Sequence, residues 1–286
     1  MTDPAAATEE HFADWIGKTE SCSELIQPAT MAAMAATLDL DTAPAAGEAL
    51  PPGWQWLFFN PKVKQSALGE DGHPAKGGFL PPVPLPRRMW AGSRVRYLAD
   101  LPVGETATKT SKILNVVNKS GNRGKLCFVT VEHTTSYNDQ TCIIEEQDIV
   151  YKEATPVGTP LPTPRPYEET ALWTKKVEPD TTLLFRFSAL TFNGHRIHYD
   201  LPYARDVEAY PGLVVHGPLT ATLLQGFATE LGKGKKLKAF SFRGITPLFV
   251  DRPFTLEARE AEGGSLELWA RGPDSELAMS ASAHFE

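Results

Sequence analysis

The sequence predicts an α+β fold made of two similar units in tandem. Three observations carry that prediction. Alternating segments rich in β-branched residues, the pattern of half-buried strands, recur along both halves of the chain. Each run of such segments follows one helical segment, so the same order, a helix and then about four strands, occurs twice. Between the two runs, Glu153 to Pro166 reads EATPVGTPLPTPRP, and five prolines in fourteen residues favour extended, semi-rigid chain. The organisation expected is a first unit over residues 1–152, a linker over 153–166 and a second unit over 167–286.

In the first unit, Thr30 to Leu40, TMAAMAATLDL, has good helix propensity, and Thr30 can cap its start after Pro28. From Asp41 to Trp90 the chain turns irregular. The prolines of GGFLPPVPLPRRMW preclude a regular helix or a central strand, so a long structured loop over a surface or cleft is expected. Within it, Trp54, Trp56, Phe58 and Phe59 read as core or pocket wall, their spacing placing them on one strand face. A strand meander follows at Arg94–Leu98, Thr106–Val117, Lys125–Ser136 and Thr141–Tyr151. The second unit opens irregularly, then predicts a helix at Leu219–Leu231 and strands at Lys238–Ile245, Phe254–Glu262, Ser265–Gly272 and Glu276–Phe285.

Composition narrows the function classes. At 286 residues and 42% hydrophobic content the chain can bury a substantial core, and a net charge of −7 disfavours nucleic acid and anionic membrane surfaces as partners. No run approaches the roughly 20 apolar residues that span a bilayer. The acidic start MTDPAAATEEHFADW resembles neither a signal peptide nor a transit peptide, so a cytoplasmic protein is expected. Cys22, Cys127 and Cys142 are widely spaced and form no CxxC, which suits a reducing compartment and buried thiols.

The chemistry concentrates in Phe187 to Ala204, FSALTFNGHRIHYDLPYA, where Asn193, His195 and His198 fall within six residues. Asp200 before Leu201-Pro202 reads as an N-cap that fixes the end of this turn. Further on, LVVHGPLTATLL runs from an apolar segment through His216-Gly217 into a helix. A glycine at a helix entrance presents a bare backbone N–H, aided by the helix dipole, to a developing oxyanion. A base together with an oxyanion site is what adding water across an α,β-double bond of a thioester requires.

This stretch resembles the motif of MaoC-like, R-specific enoyl-CoA hydratases, in which an aromatic residue precedes Ser-Gly-Asp-x-Asn-Pro-Ile-His-x-Asp. The match sets Thr191 at the motif's Ser, Asn193 at its catalytic Asp, His195 at its Asn, Arg196 at its Pro and His198 at its catalytic His, with Gly217 as the oxyanion-hole amide. TFNGHRIHYD, with GEDGHPAKGGFLPPVPLPRRMWAG and RGITPLFVDRPF, is similar to the branch holding 3-methylfumaryl-CoA (mesaconyl-CoA) hydratases and mitochondrial 3-hydroxyacyl-thioester dehydratases. The resemblance implies a double hot-dog fold whose first unit lacks the motif and shapes the acyl pocket. It implies a hydro-lyase acting on a short acyl-CoA, with coenzyme A as part of the substrate, no separate cofactor, and a monomer or homodimer. The departure is Asn193, because an amide is neither acid nor base near neutral pH. His198 is therefore expected to handle the proton alone, with Asn193 holding the water.

Other residues carry competing readings. His195 and His216 are expected beside the substrate; together with His198 they form a conceivable zinc set, but their spacing in a turn argues against metal. His11, His73, His133 and His284 read as structural or solvated. Arg87, Arg88 and Arg196 are candidates for a substrate carboxylate or phosphate. Lys235 and Lys236, in the only dense basic run, read either as a solvated loop or as contacts to the phosphates of coenzyme A. The remaining function classes are a fatty-acyl 3-hydroxyacyl-thioester dehydratase, an acyl-CoA thioesterase and an inactive acyl-CoA-binding subunit.

Overall fold

In the computed structural model, ten strands form one antiparallel sheet whose order shows the two units directly. The described residues are 11–121, 124–156, 158–159, 163 and 165–286. The expected linker falls partly outside them, as do the first ten residues on which the leader reading rests. Strands β1 (Thr19–Leu25), β2 (Arg87–Tyr97), β3 (Thr106–Gly121), β4 (Gly124–Tyr137) and β5 (Gln140–Lys152) precede β6 (Trp173–Val177), β7 (Leu237–Gly244), β8 (Phe254–Glu260), β9 (Leu266–Arg271) and β10 (Leu277–Phe285). The lateral order is β1-β3-β4-β5-β2-β7-β10-β9-β8-β6. Five strands of each unit lie side by side, and β2 pairs with β7 where the units meet, Val95 opposite Phe240. At that junction Gly92 is obligatory, because a Cβ there would collide with the Phe242 carbonyl oxygen.

Each unit contributes a helix in the order expected, α1 (Pro28–Thr37) and, in the second, a buried helix running Gly217–Leu231. Between them in sequence lie two further helices, Thr181–Leu190 and Leu201–Asp206, so these are α2 and α3 and the buried one is α4. α4 packs against β7, β8, β9 and β10. Leu219, Leu224 and Phe227 are buried there, each contributing roughly 1.5–3 kcal/mol of hydrophobic burial. A polar tie joins the units: the Tyr97 hydroxyl accepts from the Gly53 amide at 3.0 Å and donates to Gln225 of α4 at 2.6 Å. On the other face of β3, β4 and β5, Ile113, Cys127, Val129, Val131 and Tyr151 pack beneath Val83, Phe79 and Leu85 of the proline-rich loop. Among the described residues no helix is long and apolar enough to cross a membrane.

Several expectations need correcting. β2 starts at Arg87, directly after Pro86, so Arg87 and Arg88 stand on a strand and not at a loop end. α1 starts at Pro28 with Gln27 at its cap, two residues before Thr30. The aromatic run is a 3₁₀ turn, Trp54–Leu57, and not a strand. α2, β1 and β6 were not expected at all. α2 carries a recognisable start, since Asp180 accepts from the Leu183 amide at 2.7 Å.

Candidate active site

The turn that follows α2 is built by short-range hydrogen bonds. Thr191 bonds back to the Phe187 carbonyl at 2.7 Å, and the Asn193 amide reaches the Ser188 carbonyl at 2.8 Å. The Asn193 Oδ1 accepts the His195 amide at 3.0 Å, closing an Asx turn. One 3₁₀ turn, Arg196–His198, then places His198 inside, and Asp200 caps α3 by accepting from the Tyr203 amide at 3.1 Å. The segment just before α4 is locked alongside, because the Val214 amide donates to the Ile197 carbonyl at 3.0 Å.

His198 Nδ1 lies 2.7 Å from the Val214 carbonyl oxygen. A carbonyl only accepts, so Nδ1 carries the hydrogen and Nε2 is left with a bare lone pair, the atom of a general base. The His198 ring stacks on His216 at 3.6 Å between centroids and meets His195 edge-on at 5.5 Å. His195 in turn lies 4.2 Å from His73, whose Nδ1 is 3.1 Å from Asp71 Oδ2. At the far end, His216 Nε2 bonds Ser188 Oγ at 2.8 Å. Four imidazoles thus run in a row from the Asp71 carboxylate to the Ser188 hydroxyl.

The row is neutral near pH 7. Burial pushes His195 and His198 down to about 3, helped by His73 on the first and by His195 on the second. His216 is driven well below its ordinary value by burial and by His198. His73 is also lowered by burial, with Asp71 opposing and Arg88 adding to the effect. Burial is the largest single influence and works against the Asp71 charge, yet the side-chain and backbone hydrogen bonds from His73 and the fields of His73 and His195 together outweigh it and hold the carboxyl below the usual carboxylate range. Uncharged rings have lone pairs free to accept a proton, but a basicity this low is weak for a general base, whose best value lies near the working pH.

His216 is the residue before α4 but does not cap it, since its ring turns to Ser188. The first turn of α4 therefore has no side-chain cap from His216, and a Cβ at Gly217 would meet only open space.

His73, read from sequence as bland, is the residue that sequence reasoning missed. Its loop docks by backbone: the Arg196 amide donates to the Asp71 carbonyl at 2.9 Å. Gly72 sits at φ +86°, where a Cβ would collide with the Gly194 carbonyl oxygen. Only glycines on both sides allow this approach. The only prior signal was GEDGHPAKGG, whose glycines mark a tight path close to other backbone. The three ligand-type atoms of Asp71, His73 and His195 lie within 4.8 Å of one another. Asp71 and His73 already satisfy each other through a hydrogen bond.

The expected substrate cations divide sharply. Arg87 is paired with Glu208. Arg196 is held by Asp200 at 2.7 Å and lies over the Tyr203 ring. Lys236 pairs with Asp100 at 2.7 Å. Lys235 and Lys236 follow the C-terminal end of α4, about 22 Å along the helix from Gly217 at 1.5 Å per residue. Arg88 differs: among the described residues no carboxylate pairs with it. Together with Asp71, Lys76 and Arg87 it lines a cavity of about 320 Å³. His198 opens on a second recess, of about 370 Å³, walled by Thr181, Phe185, Tyr199 and Leu213.

The model of the family "Hydroxyacyl-thioester dehydratase type 2" matches residues 53–250. The chain belongs to the hydroxyacyl-thioester dehydratase type 2 family. A curated relative, mesaconyl-C(4)-CoA hydratase of Chloroflexus aurantiacus, is 49% identical over 272 residues, covering 94% of this chain and 95% of the relative. The mitochondrial hydroxyacyl-thioester dehydratase type 2 of Schizosaccharomyces pombe is 28% identical over 72% of this chain and 77% of its own length. A Mycobacterium tuberculosis protein described as having a double hotdog fold superposes with a TM-score of 0.58 at 14% identity, over 95% of this chain and 96% of that one. The dehydratase family member described here is accordingly a hydro-lyase with the double hot-dog fold.

Proposed function

We propose that this hydro-lyase adds water to the double bond of a short enoyl-CoA, with 3-methylfumaryl-CoA (mesaconyl-C4-CoA) as substrate and a citramalyl-type thioester as product. The observation that carries the reaction is the tautomer of His198, whose Nε2 is bare because Nδ1 is committed to the Val214 carbonyl. That nitrogen takes a proton from water as the water oxygen bonds to the β-carbon. The electron pair of the double bond moves to the thioester oxygen, where the Gly217 amide at the α4 entrance meets the charge. When the carbonyl re-forms, the α-carbon takes a proton back from the imidazoles, so the protein ends with the protons it began with. Asn193 gives its Oδ1 to the turn and keeps its Nδ2 for a water or the substrate.

The dicarboxylate substrate is supported by the 49% identical relative and by Arg88, a guanidinium that has no carboxylate partner among the described residues and lies beside the histidines. A free carboxylate on the acyl group would complete it. The reverse reading, dehydration of a fatty 3-hydroxyacyl thioester, is favoured by the family match and uses the same groups.

Incubation with 3-methylfumaryl-CoA and, separately, crotonyl-CoA decides between them, followed by loss of enoyl-thioester absorbance and product mass. The expected result is gain of one water on the methylfumaryl substrate alone. Gain on crotonyl-CoA alone would favour the fatty-acyl reading, and free thiol release would mark a thioesterase. Binding without turnover would mark an inactive subunit.

A further inference from the structure

We propose that Asp71 and His73, carried by the loop of the first unit, are the positioning pair that supplies this site with the carboxylate its own turn lacks at Asn193. The inference deepens the hydratase reading and rests on it. The turn at Asn193 to His198 holds no acidic side chain, and Asp200 is committed to Arg196 and the α3 cap. Asp71 is the carboxylate that meets the row of imidazoles, through its 3.1 Å bond to His73, whose ring is 4.2 Å from His195. Placement is enforced by backbone contacts, the Arg196 amide on the Asp71 carbonyl and the glycine-to-glycine approach of Gly72 and Gly194. Arg88 faces the same two histidines from β2 and limits how much positive charge they can share.

Two consequences follow from an acceptor-only carboxylate on His73 Nδ1. It fixes the hydrogen on Nδ1 and leaves Nε2 bare, so the ring can only accept toward the site. It also offsets the positive charge that His198 acquires for the moment between taking the water proton and returning it to the α-carbon. No net proton or electron is exchanged with solvent over the cycle. Asp71 acts through the rings and touches no reacting atom.

The test compares wild type, Asp71→Asn, Asn193→Asp and the double variant Asp71→Asn/Asn193→Asp. Expected for D71N is a fall in kcat of about 10- to 100-fold, the scale for losing a carboxylate that orients a functional histidine, with KM within about twofold. Asn193→Asp, whose carboxylate can still accept the His195 amide, restores at least tenfold of that loss in D71N while raising kcat of the wild type by less than twofold, a background dependence that a purely structural role of Asp71 would not give. Ring ¹⁵N spectra give a readout independent of turnover: His73 is a single Nδ1–H tautomer in wild type and a mixture in D71N, while His198 keeps its tautomer. A folded D71N with kcat within twofold of wild type, or no rescue by N193D, overturns the pair while leaving hydratase activity standing. A wild type without hydration refutes the function, and an unchanged His73 tautomer in D71N then overturns the pair as well. Loss of wild-type turnover to a chelator, with stoichiometric metal in the purified protein, would reassign the three groups as ligands and also overturn it.

Discussion

His198 is held by one strong hydrogen bond and one stacked ring, which separates its chemical role from its structural one. Replacing it with Gln is expected to lower kcat by about 10²- to 10⁴-fold, the usual worth of a general base. The cost in stability is about 1–3 kcal/mol for the Val214 carbonyl left without its donor, read by urea unfolding. The depressed basicity of His195 and His198 has a sign that can be checked. The unfolded chain takes up a proton at each site near pH 6.5, whereas the folded site refuses it until about pH 3. Stability is therefore complete above pH 7 and falls with acid through that window, by up to ~1.4 kcal/mol per pH unit per site. Asp71, held ionised, adds loss in the same direction below its ordinary range. Urea midpoints at pH 7.5 and 5.5 with equal slopes would show it, while kcat/KM stays flat between pH 6 and 8 as far as the base is concerned. At Arg88, substitution by Met is expected to reduce kcat/KM for 3-methylfumaryl-CoA about 10- to 100-fold, the value of a charge-assisted hydrogen bond. The value for any monocarboxylyl enoyl-CoA should move about twofold or less.

At the scale of elements, the loop around Gly72 makes the sharpest prediction. Gly72→Ala introduces a left-handed non-glycine residue, costing about 1–2 kcal/mol, and a Cβ against the Gly194 carbonyl. The loop should lift, exposing the Arg196 amide to hydrogen exchange and lowering kcat more than the melting temperature. Elements were legible in sequence in proportion to how strongly burial patterns them. β4, alternating from Lys125 to Ser136, and α4, announced by Gly217-Pro218, stand within a few residues of expectation because one face of each is buried. β1, TESCSEL, and β6, WTKKV, are almost wholly exposed, so no alternation marks them. β2 was cut short because the prolines that run up to Pro86 read as loop as far as Trp90, although pairing with β5 on one side and β7 on the other makes it a central strand. The site follows the same rule. His198, His216 and Gly217 could be singled out because the turn and the helix entrance that carry them are each continuous in sequence. His73 was not, because a contact between a loop of one unit and a turn of the other leaves no periodic trace. The pairing of Arg87 with Glu208 is equally invisible before the fold brings them together, whereas Arg196 and Asp200 stand four residues apart in one turn.

At the scale of the whole molecule, the seam between β2 and β7 lets one chain do what two units require. The second unit brings the histidine turn and α4; the first brings Asp71, His73 and Arg88, and Tyr97 reaches across to Gln225. Opening that seam should therefore disable chemistry without touching a reacting group. Gly92→Val places a side chain against the Phe242 carbonyl. The expected outcome is a large loss of activity with separate unfolding transitions for the two units by calorimetry; a single transition at the wild-type temperature would contradict it.

The two outermost strands then acquire a purpose that their lack of pattern conceals. An open sheet ends in two rows of unsatisfied amides and carbonyls, each a template on which another chain can polymerise. Here those ends are short and charged. Glu24 of β1 is engaged by Lys62, and Lys175 and Lys176 of β6 are engaged by Glu230 and Glu178. The features that hid these strands from a reading of hydrophobic pattern are the ones that stop the sheet from growing into a fibre.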